Sequence, residues 1–507
     1  MKILVTGASG YVGRQLASKL ALAGHEVTCT VRRRSTVSLP AGTCARIVVA
    51  DALHPETLPE ALTDIDVAYY LIHSMSGREA GFDERDREAA YNFAVAAKNA
   101  GVRRIIYLGG LAAGGANVSL HLKSRRDTGA VLRKYGPPLI EFRAGIIVGN
   151  GSISFEIIRC LTERLPLMIC PRWVVTRTQP IAIDDVLQYL VAALAVCGGV
   201  NEPIEIGGAT VETYRSMMLG YARRRGLKRW LFRVPVLTPR LSSYWLDLVT
   251  PFSPAVSRPL IEGLRSESIC TSHLSSKLFP EIRPISYDAA VAKALERAAP
   301  SLPLPALAPA AHIVFRAEGV ICDLRELAVD ASSDHVFAIL EKLGGKDGWL
   351  SFDVLWRVRG WIDGLIGGVG NSRGRSRPAG MRAGDVIDFW RVERVEALRS
   401  VLLHAEMKLP GAAWLQFEML PHVSGRTLLR CSAWFQPKGL FGEIYWYILY
   451  PIHLLIFNEL MTAVRSRAEC RSAVAAEEAA APTADRLAAS ADFVVSEFAD
   501  LKGPRTQ

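Results

Sequence analysis

Nine cysteines are scattered through 507 residues, and no two of them form a Cys-x-x-Cys pair. Without that pair, or a His/Cys cluster at zinc spacing, no metal site is expected. Cysteines so placed read as reduced, small apolar residues of a cytoplasmic protein. A leader is missing too: a strand-like run follows Met1 at once, so no signal peptide is expected. The net charge is +10, yet no continuous basic helix or aromatic-interleaved basic patch stands out. Nucleic acid is therefore not an expected partner, and an anionic cofactor or a membrane surface accounts for the excess more simply. The uncharged aromatic run Ile444–Phe457 falls short of the roughly 20 residues a spanning helix needs, and it contains Pro451. It reads as a helix buried against a sheet. Peripheral membrane contact through residues 444–464 is the alternative.

What is present begins at the first residues. Ile3, Leu4 and Val5 form an apolar run that feeds directly into Gly7, Gly10 and Gly13. Leu16, Leu20 and Ala23 then follow at helical spacing. Strand, glycine turn and helix make half of a Rossmann unit. Gly7 permits the turn, Gly10 lets the backbone approach a pyrophosphate, and Gly13 lets the helix pack close to the sheet. The helix N-terminus presents N–H groups and partial positive charge to the phosphates. Candidate cofactor contacts here are Gly7, Ser9, Gly10, Tyr11, Val12 and Gly13.

The second strand, His25 to Val31, lacks the terminal acid that an NAD-selective site uses on the ribose 2′-hydroxyl; Arg32, Arg33 and Arg34 follow instead. NADP is therefore expected ahead of NAD, with Arg32 and then Arg33 on the 2′-phosphate. A solvated basic turn is the competing reading. Asp51 and Ala52, after the apolar Ile47–Ala50 run, stand where the adenine edge would lie.

Alternating strand and helix patterns run to about Leu194: strands at 67–72, 104–108 and 138–148, helices at 83–100 and 120–134. This predicts an α/β fold with a doubly wound parallel sheet. From about 200 to 298 the pattern is mixed and is expected to cap the open end of the sheet. Residues 299–312 are a Pro/Ala linker. Beyond it, 388–395, 401–408, 414–419 and 428–435 alternate in polarity, predicting an α+β domain with an antiparallel sheet over 313–467. A helix at 333–343 precedes that sheet, one from about 442 to 468 follows, and 468–507 is a tail. Trp349, Trp356, Trp361, Trp390, Trp414, Trp434 and Trp446 lie in this region, as core or as the lining of an apolar cavity. The basic stretch 364–377 reads as a solvated loop, with a phosphate or an anionic membrane as the alternative.

Thr6–Gly13, Tyr69–Met75 and Ile181–Val186 carry a resemblance to atypical extended short-chain dehydrogenases/reductases of the NmrA-like type over residues 1–300. Phe389–Val392 and Tyr445–Tyr447 resemble a domain of unknown function that follows such reductases. That domain is similar to START-like (SRPBCC-like) helix-grip modules. The first resemblance implies an NAD(P)-binding oxidoreductase. Its usual Tyr-x-x-x-Lys is absent, however. The tyrosine position holds His121 and the lysine position Arg125, and Leu108 to Leu111 replace the usual serine.

His121 could act as a general acid, since imidazole titrates near neutrality. Arg125 would keep a cation by the ribose but cannot serve as a base. Lys123 and Ser124 point away from the 121/125 face. Tyr70 and His73, after the fourth strand, could give a proton or line the nicotinamide pocket. Two functions remain open. One is an NADP(H)-dependent oxidoreductase for an apolar carbonyl or enoyl compound held by the second domain. The other is a non-catalytic redox sensor or assembly factor.

Overall fold

The computed structural model describes residues 1–32, 43–72, 82–111, 119–233, 263, 266–296, 312–317, 319–344, 348–350, 353–365, 380–422 and 426–480. The chain divides into two compact units. One comprises Met1–Ala306 with Arg316–Ile321 and Gln436–Tyr445; the other comprises Leu307–Phe315, Cys322–Phe435 and Trp446–Gln507.

The first unit is built on a parallel sheet. Its strands are β1 (Lys2–Val5), β2 (Glu26–Val31), β3 (Ala45–Val49), β4 (Val67–Tyr70), β5 (Arg104–Gly110) and β6 (Leu139–Ala144). In space they run β6-β5-β4-β1-β2-β3, with Ile204–Ile206 outside β6. The main helices are α1 (Tyr11–Leu22), α2 (Leu58–Leu62), α3 (Phe82–Asn99) and α4 (Leu120–Tyr135). The order reverses between β1 and β4, and such a switch point opens a crevice at the strands' carboxyl ends.

Strand alternation sorts the core into two layers. Ile3, Val5, Tyr69, Ile106 and Phe142 pack toward α1, against Leu16 and Leu20. Leu4, Tyr70, Ile105 and Tyr107 pack toward α3, against Phe93 and Ala97.

Two expectations need correction. The strand foreseen at 138–148 breaks at Gly145, where a Cβ would stand 2.4 Å from the Gln179 carbonyl oxygen. Its second piece, Ile147–Val148, pairs with Ile181–Ala182 instead of the main sheet. The region from about 200 does not begin by capping the sheet. It first adds Ile204–Ile206 to it, parallel to β6. Tyr214–Arg224 and Tyr287–Glu296 then pack with Ile153–Arg164 around Phe155, Met217 and Tyr221.

The second unit is an antiparallel seven-stranded sheet with a long helix. Two of its strands, His312–Ala317 and Val320–Val329, were not foreseen; the second carries Asp323, Arg325 and Glu326 and so breaks the polarity alternation. The helix Gly439–Ala480 packs Ile456, Phe457, Leu460, Met461 and Val464 onto the sheet's Leu403, Leu415 and Leu429.

Its earlier turns depart from the expected burial. Trp446 is buried and stacks on Phe435 at 5.7 Å, but Tyr447, Ile448 and Leu455 are 65, 68 and 57% exposed. By length and composition alone, Gly439–Ala475 is apolar enough to cross a membrane. Trp349, Trp390, Trp414, Trp434 and Trp446 fill core, whereas Trp361 faces outward. The Trp356 side chain and most of the 364–377 stretch lie outside the described residues.

Candidate functional site

A cleft of about 580 Å³ opens at the carboxyl ends of β1 and β4. That volume is in the range of small-molecule and cofactor sites. Its floor is the turn from β1 to α1, where Gly7, Ser9, Gly10, Tyr11, Val12 and Gly13 all line it. Gly7 has φ +66°, a left-handed conformation that favours glycine. A Cβ there would stand 2.6 Å from the Leu71 carbonyl oxygen, and one on Gly13 would stand 2.3 Å from that of Gly7. The turn is closed by Gly10 N–H donating to Gly7 O at 2.9 Å, and Thr6 Oγ1 ties it to β4 through Tyr69 O at 2.9 Å. Gly10 caps α1 without a side chain, and the first turn holds no acid. The helix N-terminus therefore meets the cleft as positive charge on bare backbone, a cradle that fits a pyrophosphate.

One end of the cleft, where the adenine was expected, is assembled from the ends of two strands. Thr30, Val31 and Arg32 arrive from β2; Asp51, Ala52 and Leu53 arrive from β3. Arg32 is exposed at the rim. Asp51 caps its own turn, accepting the Leu53 N–H at 3.1 Å, while Thr57 Oγ1 accepts the Asp51 N–H at 3.0 Å. Asn92 of α3 pins Ala52 through its carbonyl at 3.0 Å. Arg33 lies outside the described residues.

The other end is mostly apolar: Leu108, Leu111, Leu122, Ile146, Ile147 and Ile153 line it, with Tyr214 and Ser154. Arg125 is its one cation among the described lining residues. The guanidinium donates to Ile72 O at 3.1 Å and to Leu108 O, and lies 5.0 Å over the Tyr107 ring. It thus clamps the ends of β4 and β5 and holds a fixed positive charge beside the cleft.

His121 is in the first turn of α4, which Ser119 caps; its side chain is outside the described residues, as is His73. Ser124 faces α3, donating to Asp86 Oδ2 at 3.2 Å, and Lys123 is exposed. Neither lines the cleft.

Tyr70 requires correction. It is fully buried on the α3 side, 5.1 Å from Phe93 and 6.1 Å from Tyr107, and does not line the cleft. Burial, and then the nearby Asp86 and Tyr107, push its hydroxyl pKa up. The strand ends at Tyr70, so Leu71 and Ile72 reach the cleft instead.

The Asp184-Asp185-Val186 element has a structural part. Asp185 is buried and accepts the Ile285 N–H at 2.9 Å, while Asp184 faces Lys293 at 3.8 Å. Sequence reading missed Ala144–Ile147, Ser152–Ser154 and Tyr214. The available signal was Gly151-Ser152, a helix-start pattern before an apolar run.

Residues 7–136 match the model of a family described as NAD(P)H-binding. Residues 317–460 match a family described as a protein of unknown function (DUF2867). Among curated relatives, a photosystem II assembly factor, Ycf39, of Guillardia theta is 25% identical over 243 residues, 46% of this chain and 74% of that one. A ceramide reductase of Caulobacter vibrioides is 26% identical over 269 residues, 52% and 81% of the two chains. Among solved structures, Citrobacter sp. triphenylmethane reductase complexed with NADP(H) aligns at 19% identity and TM-score 0.46, over 58% of this chain and 99% of that one. Thermotoga maritima UDP-glucose 4-epimerase aligns at 17% identity and TM-score 0.46, over 58% and 98%. Residues 7–136, on the parallel Rossmann-like sheet, thus match an NAD(P)H-binding family, and residues 317–460 match a family of unknown function.

Proposed function

We propose that this protein is an NADP(H)-dependent reductase acting on an apolar carbonyl or enoyl compound. The observation that carries the reading is one cleft running from the glycine turn and Arg32 to an apolar end holding Arg125. A bound NADPH supplies a hydride. Arg32 would pair with the 2′-phosphate, an interaction an arginine fork suits. Arg125 would keep its positive charge beside the reacting oxygen without exchanging a proton. His121 would give the proton, as the titrating group that stands in sequence at the position of the missing tyrosine. The START-like second domain would hold or present the substrate.

The test is NADPH oxidation over a panel of apolar carbonyl and enoyl compounds. Turnover is expected, falling about a hundredfold or more in kcat in His121→Ala with NADPH affinity unchanged. Turnover that His121→Ala leaves intact would remove His121 from the chemistry.

A second reading is favoured by the loss of tyrosine, lysine and serine together, with Arg125 committed to two backbone carbonyls. In it the domain binds NADP(H) without turning it over, and the chain serves as a redox sensor or an assembly factor. Tight NADPH binding with no turnover across the panel would decide for it.

A further inference from the structure

The helix Asp353–Leu365 is inside out over its last two turns. Val358, Trp361, Ile362 and Leu365 are 47, 67, 44 and 67% exposed. Their spacing of three, four and seven residues places them on one stripe. The residues turned inward are Gly360 and Asp363. Asp363 is fully buried and accepts the Lys408 N–H at 2.7 Å, which fixes the helix in this orientation. A helix of a soluble domain carries the opposite pattern.

A second stripe lies in the same unit, where Tyr447, Ile448, Ile452 and Leu455 of the long helix are also exposed.

We propose that this face rests on the surface of an anionic lipid bilayer, with Val358, Trp361, Ile362 and Leu365 set into the headgroup boundary. Charge selects that occupant. In sequence, Arg373, Arg375, Arg377 and Arg382 follow the stripe with no acid between Gly364 and Gly384; the first three lie outside the described residues. Basic residues beside an apolar helical face are drawn to anionic lipid, and tryptophan favours the interface itself. The exposed stripe is two turns long, enough to lie in the boundary and too short to span. The inference goes beyond the dinucleotide reading and stands with or without turnover.

The test is vesicle flotation of the full-length protein. Flotation is expected with phosphatidylcholine mixed with phosphatidylglycerol, and little with phosphatidylcholine alone. Raising the salt from about 0.1 to about 0.5 M should release the protein. Trp361→Glu with Leu365→Glu should lower partitioning about tenfold or more while NADPH binding persists. Leu365→Ser is a milder variant should that pair fail to fold. Leu22→Glu, an equally exposed apolar site on the first unit, should leave flotation unchanged. Absence of flotation at low salt, or flotation indifferent to anionic lipid, would overturn the proposal. So would light scattering that shows dimers which Trp361→Glu dissociates, without flotation, since the face would then bind a second copy.

Discussion

Both domains bury charge, Glu141, Glu156 and Arg159 in the first and Asp323, Arg325 and Glu326 in the second, and they differ in what they leave open. In the first, the residues that read as chemistry, Gly7, Gly10, Gly13, Arg32, Asp51 and Arg125, line an open cleft at the carboxyl ends of the strands. In the second, a buried charge network ties the sheet to the long helix. Asp323 and Arg325 are buried and doubly bonded, at 2.8 and 2.9 Å, and Arg325 reaches on to Leu454 O and Asn458 of the long helix. Glu326 is likewise buried against Arg430 at 2.6 Å, while Trp361 and Leu365 face out. A fold that displays its exceptions can be read from sequence, and one that buries them resists reading.

The largest expected effect comes from breaking the buried side of this contrast. Arg325→Leu leaves the Asp323 carboxylate in the core without its fork and should cost about 3–5 kcal/mol. Chemical denaturation followed by tryptophan fluorescence measures it. A loss under about 1 kcal/mol would mean that water reaches Asp323 after the change.

On the open side, Gly13→Val drives a side chain into the Gly7 carbonyl. It should cost about 2–3 kcal/mol by overpacking and abolish NADPH binding. Calorimetric titration together with a melting curve checks both.

A smaller effect sharpens the contrast through pH. Burial, and then the charges of Arg325 and Arg359 against the opposing Asp323, bring His453 down to about 4. Its Nδ1 is buried without a partner. Folded His453 stays neutral to about pH 4, whereas an unfolded histidine takes its proton near 6.5. This share of stability is full above about pH 6.5 and is lost as pH falls toward 4, about 2 kcal/mol by pH 5. His453→Phe should flatten that slope in denaturation curves taken between pH 7 and pH 5.

The smallest effect is the most specific. Arg32→Ala should weaken NADPH about tenfold and leave NADH unchanged, since only the 2′-phosphate contact is lost.

The pattern of what was legible follows the same physics. Gly7 and Gly13 were readable because their spacing answers a backbone need: one positive φ and one carbonyl at van der Waals distance. The parallel strands were readable as apolar runs, since both of their faces are buried. Tyr70 was misplaced because strand-end residues alternate between faces, and the strand stopped two residues sooner than its apolar run. Val320–Val329 was missed because Asp323, Arg325 and Glu326 look like surface residues until their partners on Asn458 and Arg430 are seen. The helix Asp353–Leu365 was not foreseen, since its apolar residues face out and its inward face carries Gly360 and Asp363. Ser152–Ser154 and Tyr214 come to the cleft from elements far apart in sequence, and no local pattern joins them.

The central proposal is that the first domain holds an NADP(H) site. Calorimetric titration of the intact protein with NADPH and with NADH tests it directly. The account predicts one NADPH per chain, bound about tenfold or more tighter than NADH. Equal or tighter binding of NADH would contradict the part given to Arg32, and no binding of either would contradict the site itself.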